Sequence, residues 1–362
     1  MHGDVWEYTP PTAAAGGAPG GWRSHGEAGD ATFVPRCGHA AVSVAPTAAA
    51  LSAAEQTSDE GIGGGIIYVF GGQDPRSGGL LDETAALKVP AVGGGASWDV
   101  ARGAVDGVKP QARNGHTLCY DPSGGTGGGG GGGCLVLFGG ANAEGHLADV
   151  HRLTLLAAPA NPVSADEKED GEAMDEAEAK EVAKAKEEGG KEAAGVVFSS
   201  WDAPRCNGPK PTAREMHVAA LLPSQRLLVV HGGRGGDDIL GDVCALNVAT
   251  WVWAASRPSS SCMRVGHAAA LVPCPAGGDG HLVLFGGFSG ATFCNDTWQV
   301  SPQADEPCER LPAEDSPQRR FAHAVAALGE TLFVFGGSGG NTDYNELHEV
   351  DTAATIVAKK AK

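Results

Sequence analysis

Five times along this chain an Arg-x-x-His tetrad is followed by an apolar run that ends in Gly-Gly. The tetrads start at Arg36, Arg113, Arg214, Arg264 and Arg320, and the matching doublets are Gly71-Gly72, Gly139-Gly140, Gly232-Gly233, Gly286-Gly287 and Gly336-Gly337. A recurring supersecondary unit constrains architecture before any single motif does, because one unit cannot bury its apolar face alone and must stack on its neighbours.

The third copy carries no large insertion and reads as four short strands. Arg214-Glu215-Met216-His217 leads into Val218 to Leu222, a Pro-Ser turn follows, and Leu227 to Val230 reads as a buried strand stopped by Gly232-Gly233. A loop from Arg234 to Ile239 leads to a third strand with Asp242, Val243 and Leu246, and Trp251 and Trp253 mark a fourth. Short β-prone runs separated by turn signals predict one antiparallel sheet per copy. The glycine pair suits a sharp turn at positive φ with another sheet packed close against it.

This pattern resembles the kelch repeat: Gly-His in the first strand, apolar residues with Gly-Gly in the second, Asn/Asp before the third, and Trp in the fourth. The resemblance implies an all-β protein, a kelch-type β-propeller of four-stranded antiparallel blades with about 50 residues per repeat. Five clear repeats span residues 31–362, and five or six blades are expected. Pro46 to Gly65, Asp121 to Gly133 and Ala157 to Gly195 read as insertions. The repeat also frays. His231 stands where the other copies have Phe70, Phe138, Phe285 and Phe335, Gly-His becomes Met216-His217 and Ala322-His323, and Leu311 is the expected substitute for a missing fourth-strand Trp. Residues 1–30, with Trp6 and Trp22, are expected to supply closing strands of the last blade or of a partial one, with six-blade geometry preferred. Thr352 to Val357 reads as a weak outer strand.

The formal net charge of −18 argues against nucleic acid or an anionic membrane as partner. No apolar run is long enough to span a bilayer, so no membrane insertion is expected, and a cytoplasmic protein is expected from the absence of a leader pattern at Met1. The nine scattered cysteines include no C-x-x-C pair, which predicts neither a zinc site nor a disulfide framework. The segment 157–195 is rich in Glu, Lys and Ala and nearly lacks an apolar stripe, so it reads as a disordered or marginally helical acidic insertion.

Recurrence assigns structural roles to His39, His116, His217, His267 and His323 and to the ten doublet glycines. The tetrad arginines read as inter-blade salt bridges or loop anchors. Asp82, Asp149, Asp242, Asp296 and Glu346 read as acceptors of backbone hydrogen bonds in the preceding turn. Binding is expected from the exposed residues that do not repeat: Arg76, Asn142, Arg234, Asp237, Asp238, Phe288, Phe293, Asn341 and Tyr344.

Proteins with the kelch pattern mostly act as interaction scaffolds in ubiquitin ligases, Rab-type trafficking, and cytoskeletal or ciliary assemblies; the organisation of this chain resembles that of stand-alone kelch proteins, including the Rab9-effector type. The resemblance therefore implies a non-enzymatic adaptor that binds a protein partner through propeller-face loops, with no cofactor and no catalytic residue. The alternative is a metal-dependent or small-ligand-binding kelch enzyme using the central channel. Galactose-oxidase-like enzymes need two Tyr and two His ligands with a Cys–Tyr cross-link, and Tyr8, Tyr68, Tyr120 and Tyr344 are poorly placed to supply that set.

Overall fold

A computed structural model describes residues 4–10, 20–27, 33–44, 65–89, 97–101, 106–124, 131–156, 198–273, 278–304, 307–312 and 316–352. Each Arg-x-x-His copy opens one antiparallel sheet in which consecutive strands are neighbours. Blade one comprises Ala40–Val44, Gly65–Phe70, Thr84–Val89 and Ser97–Ala101. Blade two comprises Thr117–Asp121, Gly131–Phe138, Val150–Leu156 and Phe198–Asp202, with Asp106–Gly107 added in parallel at its outer edge. Blade three comprises Val218–Leu222, Leu227–His231, Val243–Asn247 and Val252–Trp253. Blade four comprises Ala268–Val272, His281–Phe285, Thr297–Val300 and Cys308–Leu311. In blade five the described strands are Ala324–Leu328, Thr331–Phe335 and Leu347–Asp351. The acidic segment 157–195 and the expected strand beyond Thr352 lie outside the described residues.

The first strands of the five blades neighbour one another in series, which sets the blades around a centre. The core lies between the sheets, because the second strand of each is apolar on both faces. Cys119, Val136 and Phe138 of blade two pack with Leu228, Val230, Leu246 and Trp253 of blade three. Tyr68, Phe70 and Ala86 of blade one pack in the same way with Leu135, Leu153 and Trp201 of blade two. In blades two and three the fourth-strand Trp lies against the Phe of the preceding blade: Trp201 on Phe70 and Trp253 on Phe138, with ring centroids 5.2 Å apart in both cases.

At the tetrads, a chain of backbone hydrogen bonds ties one blade to the next. Gly115 N donates to Gly38 O at 2.8 Å, Met216 N to Gly115 O at 2.7 Å, Gly266 N to Met216 O at 3.0 Å, and Ala322 N to Gly266 O at 2.8 Å. All five residues have positive φ, from 52° at Met216 and Ala322 to 64° at Gly38. A left-handed residue other than glycine costs about 1–2 kcal/mol, part of which the greater unfolded-state entropy of glycine offsets on replacement. Ala322 is exposed, so its methyl group does little packing to offset that cost. Ala322→Gly is therefore expected to raise stability by about 0.5–1 kcal/mol, read as a higher urea midpoint at unchanged slope.

The N-terminal strands Asp4–Thr9 and Gly21–Glu27 form a separate two-stranded sheet with Tyr8 opposite Trp22. Its aromatic side faces blade five, with Tyr8 6.2 Å from Phe333 and Trp22 5.3 Å from Phe335. Phe335 nevertheless remains 40% exposed, while Phe70, Phe138 and Phe285 are fully buried.

Candidate functional site

The loops between second and third strands all rise on one face of the propeller, and the tetrads are what hold them there. In each blade the residue after the tetrad arginine bridges the residue after the doublet: Cys37 with Gln73, Asn114 with Ala141, Glu215 with Arg234, Val265 with Phe288, and Phe321 with Ser338. The arginine itself lies buried beneath. Its guanidinium donates to the first doublet glycine, as from Arg113 to Gly139 O at 3.0 Å and from Arg320 to Gly336 O at 2.9 Å. It also pairs with a carboxylate at the start of its own third strand: Arg36–Glu83, Arg113–Asp149, Arg214–Asp242, Arg264–Asp296 and Arg320–Glu346, at 2.6–3.0 Å. The salt bridges are thus within blades, not between them, and the carboxylates bind arginine where backbone hydrogen bonds are expected from sequence. Blade one uses Glu83, while Asp82 pairs with Lys109 at 2.9 Å. Although burial pushes their carboxyls upward, hydrogen bonds and attraction from the arginines hold Asp149, Asp242 and Asp296 below the ordinary carboxylate range.

The join to the next blade comes from the second doublet glycine. Gly72 N donates to Arg113 O, Gly140 N to Arg214 O, Gly233 N to Arg264 O and Gly287 N to Arg320 O, at 2.8–2.9 Å. The tetrad histidines cross the same seams. His116 and His323 reach the Phe70 and Phe285 carbonyls of the preceding blade at 3.1 Å, His217 reaches Thr117 Oγ1 at 3.0 Å, and His267 reaches the His231 ring at 3.0 Å. His39 of blade one is exposed.

On this rigid base the nine expected binding residues all fall in the same set of loops, but they are not equally free. Asn142 spends its amide locally, accepting from Glu144 N at 2.8 Å and donating to Gln111 Oε1 at 2.8 Å. Arg234 pairs with Glu215. Tyr344 lies over the buried Arg320 guanidinium, 4.4 Å from it, which makes it part of the tetrad packing. Arg76, Asp237, Asp238 and Asn341 are exposed.

Phe288 and Phe293 come together, with centroids 5.3 Å apart, and Phe293 stacks on Phe321 at 5.0 Å and 14°. All three rings are half-buried, and Arg319 beside them is exposed and donates to Thr292 Oγ1 at 2.8 Å. Sequence reading misses Phe321, whose only signal is an aromatic residue following a tetrad arginine. A second feature lies between blades one and two. A concavity of about 600 Å³ is bordered by Gln73, Leu80, Gln111, Asn114, Asn142 and Glu144. Its walls mix amide and apolar groups, and Glu144 is the one titratable residue bordering it among the described residues, which suits a peptide or side-chain contact more than chemistry.

Comparison with known proteins agrees with this arrangement. Residues 196–356 match the family model described as the KLHDC2/KLHL20/DRC7 Kelch-repeats domain. Kelch domain-containing protein 2 of Bos taurus is 31% identical over 144 residues, covering 39% of this chain and 34% of that protein. Acyl-CoA-binding domain-containing protein 4 of Arabidopsis thaliana is 26% identical over 174 residues, 43% of this chain and 24% of that protein. Leucine-zipper-like transcriptional regulator 1 of Homo sapiens is 27% identical over 158 residues, 42% of this chain and 18% of that protein. The matched region is thus about a third or less of each of these relatives. With blades three to five inside the family match and the same arginine, histidine and glycine framework running through blades one and two, the chain is a kelch-repeat β-propeller protein.

Proposed function

We propose that this propeller is a non-enzymatic adaptor that recruits a protein partner through the loops between its second and third strands. The observation that carries the reading is the aromatic stack of Phe288, Phe293 and Phe321 on that face. Partly exposed aromatic groups held rigidly by the backbone lose little entropy on binding and commonly anchor protein interfaces. Arg319 lies beside the stack, and the exposed Arg234, Asp237 and Asp238 lie in the loop of the adjacent blade, giving a mixed polar rim. Trafficking, ubiquitin-ligase and cytoskeletal or ciliary assemblies are the settings in which kelch adaptors of this kind work, and a cytoplasmic location accords with them. Among the described residues no helix is long and apolar enough to cross a membrane.

The test is affinity capture from cell extract with the wild-type chain and with a Phe288→Ala/Phe293→Ala/Arg234→Ala variant. Loss of two aromatic anchors is expected to weaken the captured partner at least tenfold while the circular dichroism spectrum is unchanged. An unchanged set of captured proteins would remove this face from consideration.

A further inference from the structure

His231 breaks the repeat, and its partner across the seam breaks it too. In blades two and three, the fourth-strand Trp is paired with the fourth residue of the third strand: Leu153 with Trp201 and Leu246 with Trp253. In blade four the corresponding residue, Val300, is paired with Cys308. Cys308 therefore occupies the Trp register; Leu311, the substitute expected from sequence, pairs with Thr297 instead. The Phe–Trp contact seen at two seams is thus replaced at the seam between blades three and four by a His and a Cys. Both members of one packing pair have changed together, and both have become metal-ligating types.

A third such residue comes to the same place. Cys262, on the connection between blades three and four, is buried beside them. The ligand atoms of His231, Cys262 and Cys308 lie within 4.8 Å of one another, and all three residues are at most 2% exposed. The His231 ring is already oriented. Its Nδ1 is 3.0 Å from His267 Nε2, while its buried Nε2 has no hydrogen-bond partner. A buried ring nitrogen without a partner costs stability unless something else satisfies it. A metal-ligating histidine characteristically uses its other ring nitrogen as a donor, which fixes the tautomer and aims the lone pair. With Nδ1–H donating to His267, Nε2 presents that lone pair.

We propose that His231, Cys262 and Cys308 form a buried metal site that takes one thiophilic ion, Zn²⁺ or Cu⁺, at the seam between blades three and four. Two sulfurs and an imidazole are the donor set that soft or borderline d¹⁰ ions prefer over Mg²⁺ or Ca²⁺. Bond lengths of about 2.0–2.3 Å put ligand atoms on one such ion roughly 3.4–3.8 Å apart, so the cluster needs only small inward shifts. Binding forms two metal–sulfur bonds and one metal–nitrogen bond and releases the two thiol protons to solvent. The site links the second strand of blade three to the fourth strand of blade four, and its role is to fasten that seam.

The experiment uses the full chain, purified under reducing conditions and stripped with a chelator, then titrated with Zn²⁺, Co²⁺ and Cu⁺ in separate arms. About one equivalent bound per chain is expected, with a thiolate-to-cobalt charge-transfer band in the Co²⁺ arm. The tighter of the Zn²⁺ and Cu⁺ arms identifies the ion. Cys308→Ser and Cys262→Ser are expected to weaken binding more than 100-fold, whereas Cys119→Ser, buried elsewhere, leaves it unchanged. The His231→Phe/Cys308→Trp variant restores the pair found at other seams and is expected to fold while losing the site. Alkylation gives a readout independent of the variants, since bound metal should protect Cys262 and Cys308 in the wild-type chain. No stoichiometric binding in any arm, equal binding by the cysteine variants, or a Cys262–Cys308 disulfide that persists in reductant would overturn the proposal.

Discussion

Acidification from pH 7 to pH 5 is expected to remove most of the folding stability of this propeller, well before its carboxylates are protonated. Burial, reinforced by the positive charge of the neighbouring tetrad arginine, holds the imidazoles of His116 and His217 down at about 3 and that of His323 at about 4. His267 is lowered well below its ordinary value by burial and by the His231 ring beside it. In the unfolded chain each of these rings titrates near 6.5. The unfolded state therefore takes up protons that the folded state refuses, so stability is fully present above about pH 6.5 and falls as pH drops toward the folded values. Each histidine contributes at most about 1.4 kcal/mol per pH unit within that window, and the four together about 5 kcal/mol per unit once the unfolded chain is largely protonated. A domain typically has only about 5–15 kcal/mol in total. Urea titrations at pH 7.5, 6.5, 5.5 and 5.0 read the slope directly. His116→Gln and His323→Gln, whose side-chain amides can still donate to the Phe70 and Phe285 carbonyls, should each flatten it by about 1.4 kcal/mol per unit. A wild-type slope no steeper than one proton per molecule would show that these rings are not held neutral.

Those histidines were legible in the sequence because a structural role recurs with the repeat. Gly115-His116 and Gly266-His267 announce the same turn in two blades, and Met216 and Ala322 adopt that turn although their side chains disfavour it. What recurs but has an equally good neighbour was legible only in part. Asp82 and Glu83 are adjacent carboxylates, and only the strand register selects Glu83 for Arg36. Leu311 and Cys308 pose the same problem. Hydrophobicity favours Leu at the Trp position, whereas the ladder from Val300 puts Cys308 there. Of the His231, Cys262 and Cys308 cluster only the repeat breaks at His231 and at the missing fourth-strand Trp were legible; that they meet with Cys262 was not, since the members come from two blades and a connection and share no local spacing. Similarly, Phe321 joins Phe288 and Phe293 only because the tetrad segment and the loop after Gly286-Gly287 bridge on the same face.

The doublet glycines allow the seams themselves to be measured, because the same substitution can be made where the next blade touches the glycine and where, among the described residues, it does not. Gly286 and Gly336 are equivalent positions with nearly equal φ, +64° and +67°. A Cβ at Gly286 would lie 2.8 Å from Arg320 O and 2.8 Å from His323 Cε1, both in blade five. The carbonyl cannot move aside without breaking the hydrogen bond it accepts from Gly287 N, and moving the ring would disturb its contact with the Phe285 carbonyl. A Cβ at Gly336 would meet only Tyr344 O at 3.5 Å, an ordinary contact within its own blade. Both alanine variants incur the left-handed backbone cost of about 1–2 kcal/mol. Only Gly286→Ala adds overpacking against a fixed neighbour, which costs a further 1–3 kcal/mol or more. Gly286→Ala is therefore expected to lose about 2–5 kcal/mol and Gly336→Ala about 1–2 kcal/mol, measured by urea unfolding above pH 7 so that the histidines do not contribute. The difference isolates the packing of one blade on the next from the strain of the turn. Equal losses at the two positions would mean that backbone conformation alone explains the doublet, and that the inter-blade approach of Arg320 and His323 is not what requires a glycine there.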